Sequence, residues 1–187
     1  LSRQQRQLRS AHHQLKQQSE ALRQMAVQDV LTGTMNRQSF AAALQDLLRH
    51  VEAQRKAVAL FVFDLDHFKA INDHYGHPAG DRALREVVRA VNTQLRDGDM
   101  LARVGGEEFL VLLPMTGMQD AHALAERLRQ TLESTNIVEG SKKVFLPASF
   151  GVAELLPKEN FSEWLRRVDA ALYQAKDQGR NSLFDAE

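Results

Sequence analysis

A continuous apolar run from residue 57 to residue 63 is the feature that most limits how this chain folds. A strand with one face in water alternates apolar and polar residues, whereas a strand buried on both faces is apolar throughout. The run therefore predicts a central strand that is covered on both sides. It ends at Asp64, Leu65 and Asp66, so two carboxylates emerge at the carboxyl end of this strand. Ligands gather at such strand ends in α/β sheets.

A second constraint is a predicted hairpin around two adjacent glycines. Short, apolar, β-favouring segments flank Gly105 and Gly106, and glycine accepts the positive φ of the primed turns that join hairpin strands. A plain hairpin does not require Glu107 beside Glu108 at its tip. Adjacent like charges repel, so this pair is tolerated when it is solvated or neutralised by a cation. Taken alone, the pair also fits an ordinary charged turn.

Three acidic residues are predicted to meet at neighbouring strand ends, namely Asp64, Glu107 and Glu108. A group of carboxylates without histidine or thiolate suits a hard cation that prefers oxygen ligands, such as Mg²⁺. The alternative for Asp64 is a structural role, as the end of its strand or the cap of the next helix.

The segments after the central strand supply candidate anion-binding groups. Residues 67–73 predict a short helix whose first amides face the same point, an arrangement that binds anions. Residues 76–81 predict a loop, with Asp81 as the cap of the helix that follows. Lys176 and Arg180 lie near the end of a later helix, where cations also act simply as partners of the helix dipole.

The rest of the chain alternates helical and extended segments, which indicates an α/β protein. Gly33 is predicted to break the first helix, and Asn36 to cap the second. Residues 142–152 predict a strand interrupted by Pro147, which places that strand at a sheet edge or marks a bulge. Apolar residues at helical spacing predict further helices over residues 40–51, 84–95, 121–132 and 161–176.

Composition excludes several classes of function. The chain has 24 Lys and Arg against 24 Asp and Glu in 187 residues, so no overall charge points to a nucleic acid or an anionic membrane. It has no cysteine, which excludes disulfides and thiolate chemistry. No apolar run reaches the ~20 residues of a membrane span, and no signal peptide is visible. We expect a cytoplasmic chain without direct membrane contact, or the cytoplasmic part of a larger, membrane-anchored protein.

The N-terminal segment has a heptad pattern. Leu1, Leu8, Leu15 and Leu22 recur every seven residues, and an only partly apolar second seam contains Ala11, Gln18 and Met25. This pattern favours a parallel coiled-coil linker that pairs two copies of the chain. A frayed helix, or one packed on its own domain, is the alternative.

Five motifs resemble the GGDEF family of diguanylate cyclases, in order and in spacing, over Asp29 to Asn181. They are DVLTGTMNR, FDLDHFKAINDHYGHPAGD, the signature variant GGEEF, ASFGVA and DAALYQAKDQGRN. The family implies a central, mostly antiparallel sheet wrapped by helices, like class III nucleotidyl cyclases and the polymerase palm. It also implies a homodimer that condenses two GTP molecules into cyclic di-GMP and releases pyrophosphate. On this basis we expect residues 1–27 to form a signalling coiled-coil helix, residues 28–187 to form the catalytic domain, and an upstream sensor in the full-length protein.

The resemblance also implies roles for individual residues. Asp64 and Glu107 are expected to ligate Mg²⁺ or Mn²⁺ with help from the Leu65 carbonyl, while Glu108 serves a second metal or helps to deprotonate the attacking hydroxyl. Asn72 and Asp81 match positions that read guanine, and a carboxylate can accept from both guanine N1–H and N2–H₂. The groups expected to hold the terminal phosphates are Lys176, Arg180, Lys69 and the amides around His67, Phe68 and Lys69.

An R-x-x-D pattern upstream matches the family's product-inhibition site. Arg96 and Asp99 occupy it, and Asp99 lies six positions before Gly105, from 105 − 99 = 6. Arginine binds guanine or phosphate through two hydrogen bonds, and aspartate accepts from the guanine edge. Position alone suggests Arg127 as a further contact from the neighbouring subunit.

The chain departs from the family pattern at Thr34, Val104 and Pro147, none of which is an expected ligand. Three alternatives to an active diguanylate cyclase remain open. One is a degenerate module that binds cyclic di-GMP without making it, although such members typically lose a signature carboxylate. The others are a pure dimerisation scaffold and a cyclase for a different nucleotide, against which Asn72 and Asp81 argue.

Overall fold

The computed structural model describes residues 3–54 and 56–186. Within these residues the chain forms, in order, α1 (Arg3–Val27), α2 (Arg37–Gln54), β1 (Val58–Leu65), α3 (Phe68–Tyr75), α4 (His77–Asn92), β2 (Met100–Arg103), β3 (Glu108–Pro114), α5 (Met118–Ser134), β4 (Asn136–Glu139), β5 (Lys142–Phe145), β6 (Ala148–Glu154), α6 (Phe161–Asp177) and β7 (Leu183–Asp185).

The main sheet of the described chain has the order β2-β3-β1-β6-β7, and β4 pairs with β5 in a separate small sheet. All neighbours in the main sheet are antiparallel except β6 and β7, which are parallel. The predicted mostly antiparallel sheet is therefore confirmed. The apolar run of residues 57–63 forms most of β1, the central strand.

Every residue of β1 is buried because helices cover both faces of the sheet. Alternate β1 side chains, including Phe61 and Phe63, pack in one core with apolar residues of α3, α4 and α5. The other set, including Leu60 and Val62, packs in a second core with α2 and α6. Side chains at the end of β1 therefore emerge between two helical layers.

Stacked aromatic rings fix the register of the three strands that carry the site. The ring of Phe63 in β1 stacks on Phe109 of β3 and on Phe150 of β6, with centroids 5.0 Å apart in each case. Each ring adjoins a polar residue of the site: Phe63 precedes Asp64, Phe109 follows Glu108, and Phe150 follows Ser149. A slip of one residue would turn these rings toward the other core, which is packed around different side chains.

Two predicted helix starts have different outcomes. Asn36 does cap α2, because its Oδ1 accepts from the Ser39 amide at 2.9 Å. The prediction that Asp81 caps α4 is wrong, since α4 already begins at His77 and residues 77–81 are helical rather than a loop. Pro78 explains the early start, because proline favours the first turn of a helix.

Two further turn predictions are also wrong. Gly105 and Gly106 lie between the predicted hairpin strands, but neither has positive φ, so the turn is not a primed one. The four residues between β2 and β3 form a loop that is closed by a hydrogen bond from the Val104 amide to the Glu108 carbonyl at 3.0 Å. Pro147 marks neither an edge nor a bulge. The chain changes sheets there, between β5 and β6, and β6 is an interior strand.

Helix α1 confirms the predicted N-terminal helix, while Leu1 lies outside the described residues. The side chains of Leu8, Leu15, Leu22 and Met25 are all more than 60% exposed, so they do not pack on their own domain. No helix in the described part of the chain is both long and apolar enough to span a membrane.

Candidate active site

The predicted carboxylates meet where three neighbouring strands end. In the sheet register Asp64 lies opposite Glu108 of β3 on one side and Ser149 of β6 on the other. The Leu65 amide donates to the Glu107 carbonyl oxygen at 3.4 Å, which joins the hairpin tip to the end of β1. The structure thus brings together the carboxylates that the sequence placed at adjacent strand ends.

Asp64 is a buried carboxylate with a single salt-bridge contact among the described residues, to Lys176. Lys176 Nζ donates to Asp64 Oδ2 at 2.7 Å. Burial raises the pKa of Asp64 above its ordinary value, the Lys176 ammonium lowers it, and the negative charges of Glu107 and Asp66 raise it further. The net direction is upward, so Lys176 compensates only part of the cost of holding this charge here.

Glu108 is a second carboxylate in an unfavourable environment. Burial raises its pKa, and the like charges of Asp169 on α6 and of Asp64 raise it further, against opposing effects of Lys176 and Arg37. Burial raises the pKa of Asp169 as well. A proton or a cation would relieve this concentration of negative charge.

A cavity of about 170 Å³ opens at this end of the sheet. Carboxylates and cationic side chains both contribute to its walls. It is lined by Asp64, Leu65, Asp66, His67, Phe68, Lys69, Glu107, Lys176 and Arg180. Most of the residues predicted to bind metal or terminal phosphates therefore share one cavity.

The N-terminus of α3 forms one wall of this cavity. His67 precedes the helix in the left-handed region at φ 57°. The first hydrogen bonds into the turn are donated by the amides of Ala70 and Ile71 to the His67 carbonyl oxygen. Phe68 and Lys69 are the first two residues of α3. The first amides of a helix have no acceptor within the helix, so those of Phe68 and Lys69 suit an anion.

Asn72 and Asp81, predicted to read guanine, lie on two helices that approach closely at Gly80. A Cβ on Gly80 would stand only 1.9 Å from Asn72 Oδ1, so the glycine makes room for that amide. Asp81 is the next residue along α4 and is partly exposed. The two side chains thus belong to neighbouring turns of α3 and α4.

The donor set in the cavity fits a hard cation. Among residues 3–54 and 56–186 no three His, Cys, Asp or Glu side chains converge as a ready-made metal cluster. Asp64, Leu65 and Glu107 nevertheless line one cavity and offer only oxygen donors. Mg²⁺ usually takes one or two carboxylates and completes its shell with water and substrate phosphates. These residues therefore suit Mg²⁺ or Mn²⁺ held together with a phosphorylated ligand.

The R-x-x-D residues lie together at the far end of the β2–β3 hairpin from Glu107, just before β2 begins and beside Pro114, where β3 ends. Asp99 accepts from the Arg96 amide at 3.0 Å and from Arg96 Nε at 3.2 Å, and its side chain is only 2% exposed. Arg96 Nη2 donates to the Pro114 carbonyl at 2.6 Å and to Thr116 Oγ1. Both residues are therefore already engaged by groups of this chain. Arg127 Nε donates to Gln94 Oε1 at 2.8 Å.

Several residues that brace the signature loop were not singled out in the sequence. Arg103 donates to both carboxylate oxygens of Asp29, at 3.1 and 3.2 Å, and to the Gly106 carbonyl at 2.8 Å. Arg37 Nη2 donates to the Val104 carbonyl at 2.8 Å. Asp29 and Arg37 both belong to the motif DVLTGTMNR, and this motif was the sequence signal that could have identified them.

Replacing Glu108 with Gln should raise the thermal unfolding midpoint of the metal-free protein at about pH 7.5. A raised pKa means that the folded chain binds this proton more tightly than the unfolded chain. The unfolding free energy therefore falls as pH rises from the ordinary glutamate pKa, about 4.3, through the raised value. At about pH 3, more than one unit below the ordinary glutamate pKa, the carboxyl is almost fully protonated in both states, and the two proteins should unfold alike.

Differential scanning calorimetry with a chelator, at several pH values, measures this effect. Glu86→Gln is the matched control. A hydrogen bond from Arg89 lowers the pKa of Glu86, so this substitution should lower the unfolding midpoint at neutral pH instead of raising it. A Glu108→Gln protein that is less stable than the parent at neutral pH would contradict the account of its environment.

Comparisons with known proteins agree with this geometry. The family model described as "Diguanylate cyclase, GGDEF domain" matches residues 26–182. NbdA of Pseudomonas aeruginosa, named a cyclic di-GMP phosphodiesterase, is 39% identical over 172 residues, which are 91% of this chain and 22% of NbdA. The diguanylate cyclase VdcA of Vibrio cholerae is 35% identical over 172 residues, 90% of this chain and 50% of VdcA. The chain thus spans half or less of the length of these curated relatives.

Among solved structures, the coiled coil and GGDEF domain of DgcB from Caulobacter crescentus, in complex with c-di-GMP, superposes with a TM-score of 0.88. It is 29% identical, and the match covers 98% of this chain and 97% of that one. Because the family model covers most of the sequence and the fold agrees, the chain belongs to the GGDEF domain family of diguanylate cyclases.

Proposed function

We propose that this chain is a diguanylate cyclase, which condenses two GTP molecules into cyclic di-GMP. The observation that carries the proposal is the cavity at the strand ends, because it combines the carboxylates of Asp64 and Glu107 with the cations of Lys176 and Arg180. A nucleoside triphosphate with its divalent cation needs both kinds of group at once. Relatives named diguanylate cyclases share the family and support the same reaction.

In the reaction, the 3′-hydroxyl of one GTP attacks the α-phosphorus of the other in line. A new P–O bond forms, the bond to the pyrophosphate breaks, and a second such transfer closes the ring. Asn72 and Asp81 would hold guanine. Lys69, Lys176, Arg180 and the α3 amides would hold the terminal phosphates. Catalysis of this kind is mainly positioning and electrostatic stabilisation.

Asp64, Glu107 and the Leu65 carbonyl would hold Mg²⁺ or Mn²⁺, which when bound neutralises phosphate charge during the transfer. Glu108 lies across the strand pair from Asp64. Its raised pKa makes it a stronger base than an ordinary glutamate, which suits it to accept the proton of the attacking hydroxyl. Service to a second cation is the other role open to it.

We also propose that the active form is a homodimer. The product contains two identical halves, and this chain has one set of site residues, so two chains must each present a GTP to the other. The exposed Leu8, Leu15 and Leu22 of α1 form a suitable seam for a coiled coil. Residues 1–27 would then act as a signalling helix between the cytoplasmic catalytic domain and an upstream sensor. Pairing through α1 raises the local concentration of one domain around the other.

Glu107→Gln tests the proposed reaction, because it keeps the size of the side chain and removes its charge. Purified parent protein should convert GTP and Mg²⁺ into a dinucleotide and pyrophosphate, separated by chromatography. Turnover of the variant should fall by roughly two orders of magnitude or more, while its circular dichroism stays unchanged. Glu86→Gln is the matched control and should retain parent turnover.

The other possible results discriminate between functions. A Glu107→Gln protein with near-parent turnover at saturating Mg²⁺ contradicts the metal assignment. Parent protein that binds cyclic di-GMP but yields no dinucleotide from GTP points to a receptor module instead.

A product-inhibition site at Arg96 and Asp99 is a further part of the proposal. Arg96→Ala should leave the initial velocity near that of the parent, because Arg96 lies outside the cavity that holds the proposed catalytic groups. Removing the guanidinium should, however, weaken inhibition by accumulated cyclic di-GMP by about tenfold or more. Full progress curves measure both effects. If the curves of variant and parent bend at the same product concentration, this pair does not bind product.

A further inference from the structure

Asp66 is a buried carboxylate that the proposed chemistry does not use. It lies two residues beyond Asp64 and is 5% exposed. Its Oδ1 accepts from Ser149 Oγ at 2.7 Å, and its Oδ2 accepts from the Asn181 amide at 2.8 Å. The Asp66 amide donates to the Pro147 carbonyl at 2.9 Å, so the residue is fixed at both ends. Both carboxylate oxygens are engaged by this chain.

The segment that Asp66 holds has an unfavourable backbone. Arg180 and Asn181 are consecutive non-glycine residues in the left-handed region, with φ of 66° and 43°. A side chain with Cβ disfavours this conformation, although asparagine tolerates it better than most residues. Such a pair persists only when surrounding contacts impose it.

Contacts from three directions impose this conformation. The Arg180 amide donates to the Ala175 carbonyl at 3.0 Å, which closes the end of α6. Asp66 accepts from the Asn181 amide, as described. On the α5 side, Arg129 Nη1 donates to Asn181 Oδ1 at 2.9 Å, and Asn181 Nδ2 donates to Glu133 Oε1 at 2.8 Å.

This turn determines where Arg180 lies. Arg180 lines the same cavity as Glu107, Lys69 and Lys176. An extended or helical continuation after Gly179 would direct the chain elsewhere, because the left-handed turn reverses its course at the helix end. The place of Arg180 in the cavity therefore depends on the contacts that hold this turn, including the hydrogen bond from the Asn181 amide to Asp66.

We propose that Asp66 and Asn181 are positioning residues that hold Arg180 toward the triphosphate and thereby determine affinity for its terminal phosphates. This inference rests on the proposed function, because it takes the cavity to be the triphosphate site. The two carboxylates near the end of β1 then have different roles: Asp64 faces the cation, and Asp66 positions the arginine that binds the anion.

The test is a double-mutant cycle of Asp66→Ala and Arg180→Ala, with binding measured by titration calorimetry. The probes are a GTP analogue with a non-cleavable α–β bridge, and GMP, which lacks the terminal phosphates. Each single variant should weaken binding of the analogue by about tenfold and leave GMP binding unchanged. The double variant should be no weaker than Arg180→Ala alone, because Asp66 acts through Arg180.

Two further variants keep the test informative. Asp66→Asn should restore most of the affinity, since its Oδ1 still accepts from the Asn181 amide while its Nδ2 donates to Ser149 Oγ. Asp46→Ala, a carboxylate removed from the exposed face of α2, should bind both probes like the parent. If Asp66→Ala fails to fold, Asn181→Ala takes its place in the cycle, because it removes the α5 contacts of the same turn.

The outcomes separate the inference from the proposed function. Additive losses, or equal losses for GMP and the triphosphate analogue, would overturn the positioning role while leaving the cyclase proposal intact. A parent protein that binds neither probe would overturn both.

Discussion

The site depends on one electrostatic constraint, which is the placement of Asp64 at the buried end of the central strand beside two further acidic residues. Taking a carboxylate out of water is costly, and adjacent negative charges add to the cost. Lys176 offsets only part of it, as the raised pKa of Asp64 indicates. A divalent cation is the ligand that would relieve this arrangement most completely. The protein thus holds destabilising charge where its proposed chemistry requires it.

The rest of the fold is arranged to keep these charges in place. The stacked rings of Phe63, Phe109 and Phe150 fix the three strands in register next to the site, where β1 ends and β3 and β6 begin. The loop that carries Glu107 has no primed turn to hold it, and Arg103 and Arg37 brace it through its backbone carbonyls instead. Because Arg103 also pairs with Asp29, the loop is tied to the segment that follows α1.

Much of this architecture could be predicted from the sequence, because hydrophobic periodicity reports directly on burial. The apolar run before Asp64 and the segments flanking Gly105 gave the right strands, and the motif spacing gave the right family. Local rules failed where another local signal was stronger, as when Pro78 started α4 before Asp81. They also failed at Pro147, where a change of sheet looks the same in sequence as an interrupted strand.

Long-range polar contacts were the least predictable part of the site. Asp66 meets Asn181, and Arg103 meets Asp29, across separations of 115 and 74 residues. No periodicity encodes such pairs, since each depends on how distant elements pack. The family motifs contain three of these residues, all but Arg103, and do not state which residues are partners.

The most direct test of the central claim is the position of the cation with a bound nucleotide. We would grow crystals with Mn²⁺ and a GTP analogue that has a non-cleavable α–β bridge, and measure anomalous diffraction. We expect a peak within about 2.3 Å of carboxylate oxygens of Asp64 and Glu107, in contact with the analogue's phosphates. A peak bound elsewhere on the chain, or phosphates lying outside the cavity, would contradict the account.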